Sequence, residues 1–549
     1  GRGTRKMNIP DSAAEPKSST PQYSLTQASL PRSSLLRVAG NAASLLTTEL
    51  LNKATNFLIY ALIARYELGL GAFGSFSLGL LLVYVFQVFA SVGLPNLLTR
   101  EIAQRVNRAP RLLSNGLVAA SLNSLLAMLA MVLTPWIMCY DPTTSWVIVV
   151  LALGLWPFAA SQVFEASFRG TQRMHFIAVA NLIANTVKVI GAIGLLHQGY
   201  GVVELAGLLV AVRLLVLLSD MVCYFGWSGD RLVAWDRRYV RALVRRSSTF
   251  LGIDTAIAGW SAVDALILSK IMSPQEVGLY SAALQLLQPA SLVYLSIVGS
   301  IFPAMCHRHR QSMSQLQGLN SPQAQEQMQL YALTRWMVAF LLMLGLPAVV
   351  LFFFFADVIL QTAYNDVAFM RSVPVMQIAC FALITQCFTT ILGHALWAAD
   401  QEGKTLRIVV TNLTANLIIS SITITNWGLL GAAVGTLLVS VLNVLQHYLA
   451  YLKVLHKHPI DRQIVNPIVA AVAMGCVIYF VPNKIADGLL VSMPASLQAL
   501  IAAWLPNPQR FVLAFLGLAA YAAIILTLIS VAHGGPRKLR NGFFAPLLS

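Results

Sequence analysis

"VGLYSAALQLL" (277–287) and "FGSFSLGLLLV" (73–83) decide how this 549-residue chain is built. Set 204 positions apart, they align Gly74 with Gly278, Phe76 with Tyr280, Ser77 with Ser281, Leu80 with Leu284 and Leu82 with Leu286. The register extends upstream, where Leu62-Ile63 matches Leu266-Ile267, and downstream, where Val92-Gly93 matches Val298-Gly299 after a two-residue gap. In both places an apolar segment ends, a short Gly-containing loop follows, and a second apolar segment runs into a basic stretch. The repeat marks a duplicated architecture.

Composition says what is duplicated. The chain is 57% hydrophobic and 11% charged, with a mean hydropathy of +0.71, whereas a soluble domain carries about 25% charge. Apolar runs of about 20 residues recur, each long enough to cross a bilayer as a helix. They lack the alternation of β-barrel strands. Hydropathy predicts fourteen spans: 38–63, 72–93, 114–136, 146–167, 175–196, 201–225, 247–269, 278–302, 333–356, 372–395, 405–427, 428–451, 464–482 and 510–532. The thirteenth is the weakest, short or tilted. The fold class is therefore all-α polytopic membrane protein, with about 14 transmembrane helices. Six spans separate the two copies of the repeat, and an even number preserves orientation. The halves are then parallel repeats about an axis along the membrane normal, an arrangement that puts a substrate site between them near the midplane. The expected domains are a disordered cytoplasmic tail (1–36), an N-lobe of spans 1–6 (37–225), a basic cytoplasmic linker (226–246), a C-lobe of spans 7–12 (247–451), and two extra C-terminal helices with a tail (452–549). The N-terminal tail has no apolar core and does not read as a signal peptide.

The net charge of +16 does not point to nucleic acid, because most of the 37 Lys and Arg residues fall in alternate inter-span segments. Arg100, Arg105, Arg108 and Arg111 follow span 2; Arg231, Arg237, Arg238, Arg241, Arg245 and Arg246 follow span 6; Arg537, Lys538 and Arg540 close the chain. The opposite loops hold five: Arg65, Lys270, Arg371, Lys484 and Arg510. The positive-inside rule puts both termini in the cytoplasm. The six cysteines form no C-x-x-C pair and read as packing residues. Cys306-His307-Arg308-His309 is a poor metal fragment with arginine beside its donors. Gly69-Leu70-Gly71-Ala72-Phe73-Gly74 spells G-x-G-x-x-G but follows a membrane helix, so it reads as a tight external turn rather than a nucleotide loop.

"ALIARYELGLGAFGSFSLGLLLVYVFQVFASVGLPNLLTREIAQ" (61–104) resembles the opening of the Wzx-type oligosaccharide-lipid flippases of the multidrug/oligosaccharidyl-lipid/polysaccharide exporter superfamily. The pieces that carry the resemblance are Ala64-Arg65, Leu68-Gly69, Phe73-Gly74, Gly93-Leu94 and Arg100-Glu101. "VDALILSKIMSPQEVGLYSAA" (263–283) is similar to the family's seventh-span end and Val-Gly-x-Tyr turn, and Glu67 is an insertion relative to the family pattern. The resemblance implies an undecaprenyl-pyrophosphate-linked oligosaccharide moved from the inner to the outer leaflet of a bacterial cytoplasmic membrane by alternating access. It implies membrane lipids and the polysaccharide polymerase machinery as partners, and no cofactor beyond a coupling Na⁺ or H⁺.

Ionisable groups inside spans are costly and face a cavity or a partner. Lys53 and Lys188 lie roughly 20 Å from the cytoplasmic ends of spans 1 and 5, and Arg213 roughly 15–18 Å from either end of span 6. These cations form the expected cavity for a pyrophosphate, Arg as a fork and Lys as point charges. Local pairing competes with that reading. Glu49 stands four residues before Lys53, and Asp220 follows Arg213 by seven on the same helix face. In the second half, Asp254 with Asn412, Asn416, Thr411 and Thr414 suits a coupling ion or proton relay, or else interhelical glue; Asp264 is the other acid of span 7. Gly431-x-x-x-Gly435 reads as close helix packing.

Three functions compete. A drug or organic-cation antiporter would favour acids and aromatics over midplane cations. A peptidoglycan lipid-precursor flippase would share the cationic cavity and the two extra helices. A membrane enzyme such as a polymerase or ligase needs paired catalytic groups outside, whereas the external acids are scattered singly: Glu67, Asp141, Glu276, Asp357, Asp366 and Asp487.

Overall fold

The computed structural model describes residues 32–66, 68–91, 93–228, 233–315, 323–399, 401–455, 458–459, 462–480 and 508–532. Glu67, Val92, Arg231, Lys484, Asp487, residues 1–31 of the expected tail and the basic run from Arg537 to Arg540 lie outside these, as do the side chains of Asp254 and of Cys306-His307-Arg308-His309.

In lipid a backbone must satisfy its own polar groups, and these apolar runs do so as helices. In chain order they are α1 (Arg32–Arg65), α2 (Gly69–Ser91), α3 (Leu94–Gln104), α4 (Ala109–Ile137), α5 (Pro142–Ala152), α6 (Leu155–Gly170), α7 (His175–His197), α8 (Val202–Ser228), α9 (Arg237–Ile271), α10 (Pro274–Gln315), α11 (Gln323–Phe354), α12 (Ala356–Tyr364), α13 (Val373–Ala379), α14 (Ala382–Ala398), α15 (Glu402–Leu455), α16 (Val465–Phe480) and α17 (Pro508–Ala532). Each of the fourteen expected spans falls on a helix, a broken pair or one limb of α15. Span 4 is α5 and α6, interrupted at Leu153-Gly154, and span 10 is α13 and α14, bent by 44°. Among the described residues nine helices are long and apolar enough to cross a membrane, ten with that bent pair. α1 and α9 are long, at 34 and 35 residues, but more polar. α16 has 16 residues, the short span that was expected. Two boundaries move: α1 begins at Arg32, inside the expected tail, and α9 begins at Arg237, inside the expected linker.

Gly428 divides α15 with φ 56° and ψ −128°, a conformation open to glycine alone. The limbs then fold back on each other. A Cβ on Gly431 would stand 2.0 Å from the Thr423 carbonyl oxygen, and one on Gly435 2.8 Å from Thr423 Oγ1, so this glycine pair is the site of close packing. α16 and α17 pack together and onto α11 through a separate apolar cluster that includes Met474, Ile478, Leu513 and Tyr521.

The two repeat copies touch. α2 packs along α10, and a Cβ on Gly74 would lie 1.7 Å from the Pro274 carbonyl oxygen and 3.1 Å from the Gly278 nitrogen. A Cβ on Gly278 would lie 2.9 Å from the Leu70 carbonyl oxygen and 3.1 Å from the Gly74 nitrogen. Leu70 and Pro274 occupy the same place in the two copies, so each glycine meets its counterpart and its counterpart's neighbour. That reciprocity is the mark of a two-fold contact. G-x-G-x-x-G is accordingly a helix-packing surface: only Gly69, with φ 83°, is at the turn, and the chain is helical from there. Beside the seam, Phe73 meets Tyr60 at 5.2 Å, Phe369 at 5.1 Å and Tyr364 at 5.5 Å between ring centroids, which closes this end of the molecule with buried aromatics.

Candidate functional site

α1 and α7 lie side by side in the N-lobe, and their facing surfaces are polar in the middle of otherwise apolar helices. Asn185 donates to Asn52 at 2.6 Å, the Thr55 hydroxyl donates to Asn185 at 2.6 Å, and Asn52 donates to Asn181 at 3.4 Å. Asn at i and i+4 recurs on both helices (52 and 56, 181 and 185), the spacing that puts amides on one face. This ladder fixes the two lysines. Lys188 is 6% exposed and donates to Asn56 Oδ1 at 3.0 Å. Lys53, three residues before Asn56, is exposed and crosses to the C-lobe, where it donates to Gln288 Oε1 at 3.3 Å.

Arg213 on α8 is half-buried, and its guanidinium lies 4.8 Å from the centre of the Phe158 ring. Its charge interacts with those of both Lys188 and Glu165. The three sequence-predicted cations thus occupy one region of the N-lobe, on α1, α7 and α8. Two like charges held close on neighbouring helices favour an anion between them.

The expected local pairs do not form. No ion pair joins Glu49 to Lys53 or Asp220 to Arg213 among the described residues. Glu49 is exposed, and Lys53 turns instead to Gln288. Nearby, Glu165 pairs with Arg169 at 2.6 Å, an i,i+4 pair on α6 whose spacing is visible in the sequence. Gln288 had no sequence signal, being polar but uncharged and 235 residues from its partner.

The C-lobe has a different chemistry. Asp264, 5% exposed, accepts hydrogen bonds from the Ser420 hydroxyl, from Thr436 at 2.7 Å and from Tyr280 at 3.3 Å. Asn416 borders this cage, accepting from Ser420 at 3.0 Å. Asn412 turns away and donates to Asn443 at 2.8 Å, while Thr411 and Thr414 donate back to their own helix. Asp264, on span 7, therefore shares this cage with Asn416, while the Asp254 side chain lies outside the described residues.

A cavity of about 610 Å³ lies between α1, α12 and α17, lined by Phe57, Leu58, Ala61, Leu286, Phe355 and Phe511. It begins one turn past Lys53. Arg65 and Arg510 are its charged members; Arg65 donates to the Thr362 carbonyl at 3.0 Å and Arg510 grips Asp357 at 2.7 and 2.8 Å. The other described acids of the loops expected outside are also engaged: Asp141 and Asp366 cap helical turns, and Glu276 pairs with Arg371 at 2.6 Å.

Residues 38–309 match the family described as polysaccharide biosynthesis protein. The probable low-salt glycan biosynthesis flippase Agl15 of Haloferax volcanii is 24% identical over 416 residues, 75% of this chain and 82% of that one. Two solved structures share the fold at low identity. The lipid II flippase MurJ, in an inward closed conformation, gives a TM-score of 0.67 at 11% identity and covers 92% of this chain and 100% of that one. An inward-facing multidrug resistance MATE family transporter of the MOP superfamily gives 0.60 at 13%, covering 72% of this chain and 94% of that one.

Proposed function

We propose that the chain is a Wzx-type member of the multidrug/oligosaccharidyl-lipid/polysaccharide exporter superfamily and that it flips a lipid-linked oligosaccharide across the membrane. The observation that carries this reading is the grouping of Lys53, Lys188 and Arg213 within the N-lobe. A pyrophosphate loses its hydration on entering the bilayer, and fixed cations replace that water with charge-assisted hydrogen bonds. Asn52, Asn56 and Gln288 extend the same surface with amides suited to sugar hydroxyls. An undecaprenyl carrier fits the apolar cavity one turn beyond Lys53 with part of its chain.

The finer reading is transport rather than catalysis, from the inner to the outer leaflet of a bacterial cytoplasmic membrane, with both termini inside, feeding polysaccharide polymerase machinery. Asp264 with Ser420, Thr436 and Asn416 offers a carboxylate ringed by hydroxyl and amide oxygens, the donor set of a hard cation such as Na⁺, and we assign C-lobe ion coupling there. The test is translocation by purified protein in vesicles. Undecaprenyl-pyrophosphate-linked oligosaccharide and peptidoglycan lipid precursor are presented in parallel, and glycan exposed on the far side is cleaved by an added glycosidase. The proposal expects faster exposure of the oligosaccharide lipid than in protein-free vesicles. Movement of the precursor lipid alone would replace it with the peptidoglycan reading, and movement of neither would overturn it.

A further inference from the structure

Asp220 is not used by the anion site. It lies on α8, roughly 12 Å in from the Ser228 end, and its side chain is fully buried. Neither carboxylate oxygen has a hydrogen-bond partner among the described residues. Glu165 stands near it on α6, 6% exposed, and accepts from Arg169 at 2.6 Å and Gln162 at 3.1 Å.

The groups around Asp220 leave it without a counterion. The charges that act on it are Glu165 and Arg169 from α6, with Cys223 next along α8. Arg169 is already matched by Glu165. α7 brings Lys188, and α8 itself brings Arg213; Arg213 acts on Glu165 and Lys188. α5 contributes no ionisable side chain and α2 only Tyr84. A second carboxylate here would be an uncompensated, buried negative charge with no donor among the described residues, the situation that a bound proton removes.

We propose that Asp220, set against the Glu165–Arg169 pair, is a proton-binding site of the N-lobe. In the conformation seen, one Asp220 oxygen carries the proton and the carboxyl is neutral. When α6 and α8 part enough to admit water, the O–H bond breaks, the proton passes to water and the carboxylate keeps the electron pair. Glu165 links the site to the cargo site, because its charge also reaches Arg213. Proton occupancy thereby sets the field felt by the cation that holds the pyrophosphate. This coupling rests on the flippase reading, whereas the proton site itself does not.

Infrared spectroscopy of the purified protein at neutral pH tests the site. The expected result is a carbonyl band of a protonated carboxyl that disappears in Asp220→Asn. That variant should melt close to wild type, because the amide copies a neutral acid. Absence of the band, its persistence in Asp220→Asn, or a misfolded variant would each overturn the proposal, the last because it would mean that the carboxylate form holds the fold. Flipping in vesicles with and without a pH gradient tests the coupling. Wild type should respond to the gradient and Asp220→Asn should lose the response, while an equal response in both would refute it. If wild type flips nothing in any condition, the flippase reading fails and the infrared result still decides the proton site.

Discussion

Arg213 is the cation that the surroundings prepare best for a phosphate. Its guanidinium carbon sits over the Phe158 ring at 4.8 Å, and the guanidinium fork suits a planar, two-point contact. Arg213→Ala should lower the flipping rate roughly ten- to hundredfold, the worth of a charge-assisted contact, and Arg213→Lys should keep part of it because charge survives without the fork. Lys53→Ala should fall nearly as far. Its spacing from Glu49 suggested neutralisation and a mild effect, but Lys53 is bonded to neutral Gln288 and keeps its charge for the substrate. Rates per folded protein in vesicles check both, and wild-type flipping in Arg213→Ala and Lys53→Ala alike would remove the anion site. Charge inside an apolar run was legible because lipid makes it expensive. Partner choice was not, since it depends on which helices adjoin: Lys53 had a carboxylate four residues away and took an amide from the other lobe. The surroundings of the C-lobe acid were illegible for the same reason: only the helix neighbours reveal that Asp264 meets Ser420, Thr436 and Tyr280.

α2 and α10 show what a shared motif does at the level of the helix. Hydropathy located the spans because twenty apolar residues have one solution in a bilayer. It did not reveal the breaks at Leu153-Gly154 or Cys380-Phe381, where apolar residues continue on both sides. The Gly-x-aromatic-Ser repeat was legible as a duplication, while its reason appears only in the packing: two helices can approach backbone to backbone where neither carries a Cβ. Gly74→Ala should therefore cost about 1–3 kcal/mol by overpacking, since the neighbouring atoms are Pro274 backbone and cannot swing aside. Gly194→Ala on α7 is the control. Nothing lies within 4 Å of that Cβ, and helix preference makes it neutral or stabilising by about 0.5–1 kcal/mol. Thermal unfolding of the two variants in detergent measures the difference, and equal melting temperatures would mean that the seam tolerates a methyl group.

The whole molecule is two lobes related by a two-fold whose contact point is visible at the α1–α2 and α9–α10 turns. On the proposed topology, with both termini inside, reporter fusions at Gln401 and Lys457 should read cytoplasmic and a fusion at Asp366 external. An external signal at Gln401 would invert the assignment. On that proposed topology the seam closes the external end in the conformation seen, and a flippase working by alternating access must open it in each cycle. That requirement can be tested by tying it shut. A Cβ on Gly71 would lie 3.8 Å from Gln275 Cδ and 4.0 Å from its Cγ, so the two positions face each other across the lobes. Gly71→Cys with Gln275→Cys, in a chain whose exposed Cys139 and Cys476 are replaced by Ser, should form a disulfide under mild oxidant. The bond length restricts the two backbones to a Cα separation of about 4.4–6.8 Å, which the open end cannot satisfy. Flipping should stop on oxidation and return with reductant, with each single cysteine variant unaffected by either reagent. A cross-linked protein that flips at the uncross-linked rate would show that the external seam stays closed throughout transport and that the substrate passes by a lateral route instead.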